Sequence, residues 1–398
     1  MRIVDVNEYY SPTGGGVRTY LDRKMRILAE HGHELIVIAP FHEDRVEDRP
    51  DGGRIHWVKS PPLILDRNYW LFNDPGAVCR LLDRIDPDVV ENSSPWRPAW
   101  FVGDWQGRAL KVFFAHNDNI GAYAQRWLEG VASAERVEQM FGWYTRYMDR
   151  FLARYDAFVT NGPALAKRYR RRGTQVDAAM PLGIDRTHFS PDLRDERLRA
   201  SMLAQLDLPP EGHLLIGLGR HHKEKRWSMV IDAVQAAGAE RPVGLMLLGQ
   251  GPQSVALERQ IGGNRHIRLF RPVYDRERFS RILASADALI HGSDQEPFGL
   301  VACEALASGL PLIVPDEGGC AEVAEPAFAE TYAARDARAC ADAIGRMFSR
   351  DPVTLRAATR AAAAAVLSDR DHALALVDLY ADMIARRAAG QPLGAGGT

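Results

Sequence analysis

The feature that most constrains the fold of this chain is an alternation of short apolar runs and helical stretches that occurs twice. In the first half, apolar runs at 3–6, 35–39 and 112–115 are separated by segments with helical periodicity. The alternation begins again with the apolar run 214–219, after the segment 189–192. Strands that alternate with helices in this way form parallel sheets covered by helices. The sequence therefore predicts an α/β fold with two doubly wound parallel sheets, which bind ligands at the carboxyl ends of their strands.

The length of the chain agrees with two domains, because 398 residues exceed what one ordinary core holds. We expect two Rossmann-like domains, at 1–192 and at 193–371. A last helix at 372–389 is expected to pack back toward the first domain. The Gly-rich tail at 390–398 is expected to be disordered.

Charge, cysteine content and hydropathy argue against several classes of protein. Fifty basic and 52 acidic side chains give a formal charge of −2, which argues against a nucleic-acid partner. The four cysteines form no Cys-x-x-Cys pair, which argues against a structural zinc site or a disulfide framework. No apolar stretch approaches the ~18 residues that span a bilayer, and Asp5 in the first apolar run argues against a signal peptide. We expect a cytoplasmic protein that contacts the inner face of the cell membrane peripherally, if at all.

A run of three glycines, Gly14-Gly15-Gly16, lies between the first predicted strand and the helix that follows it. Backbone N–H groups can approach an anion closely at such a place. A dinucleotide-binding motif would need glycine where Thr19 stands and an acid where Ala39 and Pro40 stand. The run therefore indicates an anion site without a dinucleotide cofactor, and a tight connection without any ligand is the open alternative.

A strongly basic loop, 219–226, follows the first predicted strand of the second half. Six of its eight residues can carry positive charge. Guanidinium and ammonium groups at the carboxyl end of a strand can neutralise a diphosphate. A solvated basic loop without a ligand is the alternative interpretation.

Two glutamates, Glu296 and Glu304, stand with seven residues between them. Glu304 lies among small apolar residues of a predicted helix, where a carboxylate needs hydrogen-bond donors that a ligand's hydroxyl groups could supply. Gly299 would allow the amino terminus of that helix to approach phosphate oxygens. Taken alone, the two glutamates could also be the acid and base of a hydrolase, or one could be a salt-bridge partner.

These motifs resemble those of a retaining glycosyltransferase of family 4 with the GT-B fold. The resemblance covers nearly the whole chain, and its most specific part is the segment with the two glutamates. It extends to Gly32-His33-Glu34, Asn161-Gly162-Pro163, Leu182-Gly183-Ile184-Asp185 with Phe189 and Pro191, Leu248-Gly249-Gln250-Gly251-Pro252, and Glu317-Gly318-Gly319 with Glu322. In that fold two Rossmann-like domains face a central cleft. The resemblance thus implies an acceptor-binding domain at 1–192 and a nucleotide-sugar-binding domain at 193–371.

The resemblance also implies a role for each matching residue. Arg220 and Lys225 would grip the donor diphosphate, and Glu296 would lie near the donor sugar. His116, which ends the run 112–115, would face the transferred sugar, although a lone histidine after a strand is also commonly structural. The remaining donor contacts are implied at Gly15, Gly16, Gly219, Gly249, Phe298, Gly299, Leu300, Val301 and Glu304, the last with the ribose hydroxyls.

The implied reaction transfers a hexose or hexuronic acid from a nucleotide diphosphate sugar to an acceptor hydroxyl with retention of configuration. It requires no metal ion and no cofactor, because Arg220, Lys225 and a helix terminus can stabilise the leaving diphosphate. A UDP-sugar is expected in preference to a GDP-sugar. The chain departs from the family pattern at Gly292, Pro297 and Arg271-Pro272. These departures leave the identity of the base and of the sugar open.

The acceptor is inferred from aromatic and basic residues of the first domain. Its large aromatic residues include Tyr69, Trp70, Phe72, Trp96, Trp100, Phe101 and Trp105, with others on a long helix predicted at 123–155. Five of the six residues at 167–172 are basic. This combination suits contact with an anionic membrane, so we expect a lipid acceptor such as diacylglycerol. An aromatic core beside a solvated basic helix end is an open alternative, as is an acceptor in surface polysaccharide or lipopolysaccharide assembly.

Two other classes of protein remain open from the sequence. A nucleotide-sugar epimerase can share this fold, but would normally lack the basic pair Arg220 and Lys225 combined with both glutamates. A catalytically silent binding protein would retain the nucleotide contacts but lose His116 or Glu296, and both are present.

Overall fold

The computed structural model of the protein describes residues 1–12, 16–63, 66–118, 136, 139–296 and 298–393. Two chain crossings, after Leu182 and after Ser368, divide it into two units. Unit 1 comprises Met1–Leu182 and Asp369–Thr398, and unit 2 comprises Gly183–Ser368. The first crossing precedes the boundary expected at 192, because Ile184 and Phe189 are buried in a hydrophobic core of unit 2.

Unit 1 is built on a mainly parallel sheet. Its strands are β1 (Arg2–Val6), β2 (Glu34–Phe41), β3 (Arg45–Asp48), β4 (Arg54–Lys59), β5 (Pro62–Leu63), β6 (Asp66–Trp70), β7 (Val89–Asn92), β8 (Leu110–Ala115), β9 (Ala157–Thr160) and β10 (Ala178–Ala179). Eight of them form one sheet in the order β10-β9-β8-β7-β1-β2-β4-β3, in which β3 pairs antiparallel with β4. The short strands β5 and β6 form a separate antiparallel pair.

The helices of this first part of unit 1 are α1 (Gly16–Glu30), α2 (Pro75–Ile85), α3 (Arg97–Asp104), α4 (Gly142–Leu152) and α5 (Pro163–Arg171). They cover a sheet whose central strands are almost wholly buried, as in β7 and β9, where every residue is buried. Parallel strands that are covered on both faces have near-continuous apolar sequences. This is why their positions could be predicted from short apolar runs.

Unit 2 contains a six-stranded parallel sheet. Its strands are β11 (His213–Leu218), β12 (Val243–Leu248), β13 (Ile267–Phe270), β14 (Ala288–Ile290), β15 (Leu312–Pro315) and β16 (Ala329–Tyr332). Its helices are α6 (Glu196–Gln205), α7 (Trp227–Gly238), α8 (Ser254–Ile261), α9 (Arg276–Ser285), α10 (Leu300–Ala307), α11 (Gly319–Glu322), α12 (Ala337–Ser349) and α13 (Pro352–Ala365). The strand order β13-β12-β11-β14-β15-β16 is doubly wound and reverses between β11 and β14. Ligands of such sheets bind beside the carboxyl ends of the strands at this switch point.

The last helix, α14 (Asp369–Ala388), belongs to unit 1 and packs against α1. It buries His372, Leu376 and Tyr380. Near its end, Arg387 donates to the carbonyl oxygen of Ala109 at 2.9 Å. Of the tail expected to be disordered, residues 394–398 lie outside the described residues. Within the described part of the chain, no helix has the length and apolar composition needed to cross a membrane.

Two expectations about local structure differ from the observed fold. The long helix predicted at 123–155 falls largely on residues 119–135 and 137–138, which lie outside the described residues. Its described part, α4, ends at Leu152, because the chain turns there through bonds such as Arg154 N–H to the carbonyl oxygen of Phe151. Strands β3 and β4 were not predicted, since polar and charged residues leave neither strand with a long apolar run.

Candidate active site

The loops that follow β11 and β12 approach each other at the carboxyl end of the unit 2 sheet. Gly219 follows β11 with a φ of +142°, a backbone conformation that favours glycine. Gly249 follows β12, and a Cβ atom there would lie 1.9 Å from the carbonyl oxygen of Gly219. The structure therefore brings together two of the predicted donor contacts, and no side chain fits at position 249.

Lys225 and Glu296 form the central contact of the site, although 71 residues separate them. Lys225 lies on a single 3₁₀ turn after β11, and Glu296 lies in the loop between β14 and α10. The Lys225 ammonium group donates to Oε2 of Glu296. Burial opposes ionisation of Glu296, but Lys225 and His291 outweigh it and lower the pKa of its carboxyl group. Glu296 is thus a carboxylate at neutral pH.

The basic loop 219–226 is less positive in the structure than in the sequence, because acidic residues pair with it. Glu224 accepts from Arg220 at 3.1 Å and from His222 at 2.9 Å. Arg226 instead pairs with Asp294 at 2.5 Å. Arg220 nevertheless keeps 74% of its side chain exposed, so it can turn toward an anionic ligand.

Asp294 is a buried anchor of the site that the sequence motif did not reveal. Only 1% of its side chain is exposed, and it accepts from Arg226 and, at 2.7 and 2.9 Å, from Arg335. Burial acts to raise the pKa of Asp294, but the two guanidinium groups have the larger opposite effect, so the pKa is lowered overall. This pairing fixes the start of the loop that carries Glu296.

The amino terminus of α10 contributes backbone donors to the same region. Gly299 precedes it with a φ of +64°, and a Cβ atom there would lie 2.6 Å from the carbonyl oxygen of Gly319. Leu300 and Val301 are the first residues of the helix. Backbone N–H groups of a first turn have no partner inside their helix and attract anions. Phe298 precedes Gly299, whereas Pro297 lies outside the described residues.

Glu304 lies in the middle of α10, where the sequence placed it among small apolar residues. Its side chain is 21% exposed and Oε1 accepts from Arg276 at 3.4 Å. The carboxylate therefore has a protein partner in addition to any ligand hydroxyl. Arg276 comes from the start of α9, a contact that the spacing of the two glutamates could not predict.

His116 lies in unit 1, directly after β8. Its ring packs against Phe114 at 4.6 Å and against the edge of Tyr20 at 5.5 Å. Burial and the neighbouring Lys24 cation hold the pKa of His116 well below its usual range. The imidazole is therefore neutral at pH 7, with one nitrogen that can donate a hydrogen bond and one that can accept.

The glycine-rich run of unit 1 is described in part. Gly16 begins α1, and a Cβ atom there would meet no atom of the described residues within 4 Å. Gly15 lies outside the described residues.

A cavity of about 850 Å³ lies in unit 2 beside the carboxyl ends of β12 and β13. Its apolar walls come from Met246, Leu248 and Phe270, and Arg271-Pro272 adds to the lining. Cavities of this size and mixed lining hold small-molecule ligands. Arg271-Pro272 is also the segment where the sequence departs from the family pattern, near the expected position of the donor base.

Comparison with known proteins relates both units to glycosyltransferases. A family model described as Glycosyltransferase Family 4 matches residues 14–187, and one described as Glycosyl transferases group 1 matches residues 212–350. The chain is 30% identical over 401 residues to a D-inositol 3-phosphate glycosyltransferase of Xylanimonas cellulosilytica, covering 94% of this chain and 93% of that protein. It is 29% identical over 347 residues to a GDP-mannose-dependent alpha-(1-6)-phosphatidylinositol dimannoside mannosyltransferase of Mycobacterium tuberculosis, covering 86% of this chain and 84% of that protein.

Solved structures share this fold. Sucrose-phosphate synthase from Thermosynechococcus elongatus matches with a TM-score of 0.73 at 20% identity, covering 97% of this chain and 100% of that chain. This likeness and the two doubly wound sheets confirm the predicted GT-B fold.

Proposed function

The chain belongs to glycosyltransferase family 4, and from this premise we propose that it transfers a hexose from a nucleotide diphosphate sugar to a hydroxyl group of a membrane lipid, with retention of anomeric configuration. The observation that carries the proposal is the contact between Lys225 and Glu296 beside Arg220. It places a cation suited to a diphosphate next to a carboxylate suited to sugar hydroxyls, at the switch point of a doubly wound sheet.

The first task of the site is to stabilise the leaving diphosphate. As the bond between the anomeric carbon and the diphosphate oxygen breaks, negative charge accumulates on that oxygen. Arg220 and Lys225 are the cations proposed to receive it, with backbone N–H groups at the start of α10. A preorganised donor at such a place lowers a barrier by roughly 3–4 kcal/mol.

The second task is to direct the acceptor. We propose that the acceptor oxygen bonds to the anomeric carbon on the side from which the diphosphate leaves, and that its proton passes to a diphosphate oxygen. The products are a glycoside and a nucleoside diphosphate. Glu296 would accept hydrogen bonds from the sugar hydroxyls, and His116, being neutral, would contact the transferred sugar. The other proposed donor contacts are Gly15, Gly16, Gly219, Gly249, Phe298, Gly299, Leu300, Val301 and Glu304.

The donor proposed for the first test is GDP-mannose. The mycobacterial relative is named as a GDP-mannose-dependent mannosyltransferase, so the preference for a UDP-sugar expected from the sequence gains no support there. UDP-glucose serves as the competing donor.

A lipid acceptor is supported by the name of the same relative, which acts on a phosphatidylinositol dimannoside, and by the surface of unit 1. Trp96 and Trp143 are 47% and 54% exposed, and both rings neighbour Tyr144. Lys167 and Arg170 on α5 are exposed cations. Exposed aromatic and basic groups favour peripheral contact with an anionic membrane.

Several aromatic residues that suggested membrane contact belong to the core instead. Phe72, Phe101 and Trp105 are buried in a hydrophobic cluster of unit 1. The basic run is also smaller than the sequence indicated, because Arg172 pairs with Asp118 at 2.6 Å. The proposed membrane contact therefore rests on the exposed residues alone.

A soluble polyol phosphate is the second candidate acceptor. The relative from Xylanimonas cellulosilytica is named as a D-inositol 3-phosphate glycosyltransferase and aligns with nearly the whole chain. With this acceptor the chemistry at the donor is the same, and the product remains in water.

The proposal is tested by following radiolabelled sugar from GDP-mannose or UDP-glucose into each acceptor. Anionic vesicles that contain phosphatidylinositol or diacylglycerol are compared with vesicles that lack them, and with inositol phosphate in solution. We expect the mannosyl label to enter the organic extract, and to do so faster with anionic than with neutral vesicles. Label in a water-soluble glycoside would replace the lipid by the second candidate, and the absence of transfer from any donor would contradict the proposed activity.

A further inference from the structure

His291 is a fully buried histidine that the reaction described above does not use. It directly follows β14, and its side chain is 0% exposed. Neither ring nitrogen has a hydrogen-bond partner within the described part of the chain. Buried polar atoms are nearly always paired, so two unpaired nitrogens on one ring call for an explanation.

The carboxylate of Glu296 is an ionised group that lies next to His291. Nε2 of His291 lies 3.7 Å from Oε2 of Glu296, just beyond hydrogen-bond distance. The same oxygen accepts from the Lys225 ammonium group. One carboxylate oxygen therefore lies between a cation and an imidazole, and the cation occupies it in this structure.

Two contacts hold the backbone at His291 in place. The Tyr332 hydroxyl donates to the carbonyl oxygen of His291 at 2.5 Å. A Cβ atom on the next residue, Gly292, would lie 2.7 Å from the carbonyl oxygen of Lys225. Since no side chain fits at Gly292, the strand end that carries His291 packs directly on the turn that carries Lys225.

We propose that His291 is a positioning residue for Glu296. When the donor binds, His291 would replace Lys225 as the hydrogen-bond donor to the Glu296 carboxylate. Lys225 would then contact the diphosphate, and Nε2–H of His291 would donate to the released carboxylate and keep it directed toward the sugar. This inference rests on the proposed function, because it requires that Lys225 and Glu296 contact different parts of one donor.

The charge state of the histidine agrees with this role. Burial and the Lys225 cation lower the pKa of His291 to about 4, against the opposing effect of Glu296. The ring is therefore neutral at pH 7 and has one N–H group to give, which suffices for the carboxylate. A neutral donor can orient Glu296 without neutralising it.

The test is a double-mutant cycle with His291→Ala and Glu296→Gln, measured by turnover of the donor and by binding of GDP alone. We expect His291→Ala to lower kcat about tenfold in the wild-type background, a loss within the usual range for coupled neighbours. In the Glu296→Gln background the same change should have little effect. The affinity for GDP, which has no sugar for Glu296 to contact, should stay within about twofold in both backgrounds.

Two further variants separate positioning from stability. His291→Gln retains a side-chain N–H donor and should recover part of the lost kcat, and it is the variant of choice if His291→Ala does not fold. His213→Ala is the matched control, because this half-buried histidine lies at the opposite end of β11, where its ring stacks on Phe348 at 4.1 Å. It should leave both kcat and GDP affinity unchanged.

Independent losses in the two backgrounds would overturn the inference, as would an equal fall in GDP affinity on His291→Ala. Either result would leave the proposed function standing if the wild-type protein still transfers sugar. Failure of the wild-type protein to bind GDP, UDP or their sugars would overturn both.

Discussion

Buried charge at the unit 2 site is stabilised by specific pairs of residues. Asp294 is almost wholly buried and accepts from both Arg226 and Arg335. Arg226 is itself 14% exposed and has a left-handed φ of 51° between the 3₁₀ turn and α7. Asp294→Asn would remove the carboxylate that both guanidinium groups share. Breaking a buried ion pair costs more free energy than the intact pair contributes.

We therefore expect Asp294→Asn to lower the free energy of unfolding of unit 2 by about 3 kcal/mol, the low end for a broken buried pair, because Arg335 is partly exposed. Urea unfolding can be followed through the fluorescence of Trp227, which is buried next to Arg226. Asp192→Asn is the matched control in the same unit. Its partner Arg360 is at the surface, and the change should cost no more than about 1 kcal/mol. Equal losses for the two variants would contradict the account of Asp294.

At the residue scale, the sequence predicted which residue types matter but not which of them touch. Glu296, Lys225 and Arg220 were identified because each lies in a short motif. The contacts of His291 with Glu296, and of Asp294 with Arg335, depend on the fold. The latter joins residues 41 positions apart, and no local pattern marks either pair.

The junction between the Glu296 loop and α10 depends on a glycine. Gly299 combines a φ of +64° with a backbone neighbour at 2.6 Å from any added Cβ atom. We expect Gly299→Ala to destabilise the protein by more than the ~1–2 kcal/mol of left-handed strain alone, because the Cβ atom would also displace Gly319. The affinity for GDP should fall as the first N–H groups of α10 move. Thermal unfolding and calorimetric titration with GDP measure the two effects.

Gly262→Ala separates strain from collision. Gly262 ends α8 with a φ of +60°, yet an added Cβ atom would lie 3.5 Å from its nearest neighbour. This variant should show only the strain, with GDP affinity unchanged. A Gly299→Ala variant that binds GDP as tightly as the wild-type protein would contradict the assignment of α10 to the donor site.

Elements were predictable where burial made their sequences distinctive. The strands β1, β2, β8 and β11 lie where apolar runs indicated them, because parallel strands covered by helices leave little room for polar residues. The edge strand β3 and its neighbour β4 mix polar and apolar residues and gave no such signal. The early end of α4 at Leu152 also escaped prediction, since helical periodicity continues into the turn that precedes β9.

Over the whole molecule, three histidines that the fold partly or fully buries make stability depend on pH. Burial is the largest cause that lowers the pKa of His116, His291 and His372. His372 lies on α14. Its Nδ1–H group donates to the carbonyl oxygen of Pro181, and its Nε2 atom accepts from the Tyr20 hydroxyl. Below about pH 6.5 the unfolded chain binds protons that these folded histidines exclude. Their contribution to stability is therefore complete above about pH 6.5 and is lost as the pH falls toward 4.

We expect the thermal unfolding midpoint to be lower at pH 5.0 than at pH 7.5. Asp5 and Glu8 act in the opposite direction, because burial raises the pKa of each carboxyl group, but the three histidines outnumber them. His372→Gln, which keeps a donor and an acceptor, should show a smaller decrease than the wild-type protein. A midpoint that is constant or higher at pH 5.0 would contradict this account.

The general plan of the molecule was predictable, and its substrates were not. The repeated strand–helix alternation predicted two doubly wound sheets, and the motifs around Glu296 and Glu304 resembled those of a GT-B glycosyltransferase, which the family matches confirm. The segment Arg271-Pro272 departs from the family pattern near where the donor base is expected to lie. Charge, spacing and periodicity do not encode that selectivity.

The most direct test of the central claim is transfer of labelled mannose from GDP-mannose by the wild-type protein, Lys225→Ala and Lys223→Ala. The two lysines lie on the same 3₁₀ turn, but Lys225 contacts Glu296 whereas Lys223 is exposed. We predict transfer by the wild-type protein and by Lys223→Ala, and a loss of at least about a hundredfold in Lys225→Ala, as expected when a preorganised charge at the leaving group is removed. Equal activity of the two variants, or no transfer by the wild-type protein from any nucleotide sugar, would contradict the account.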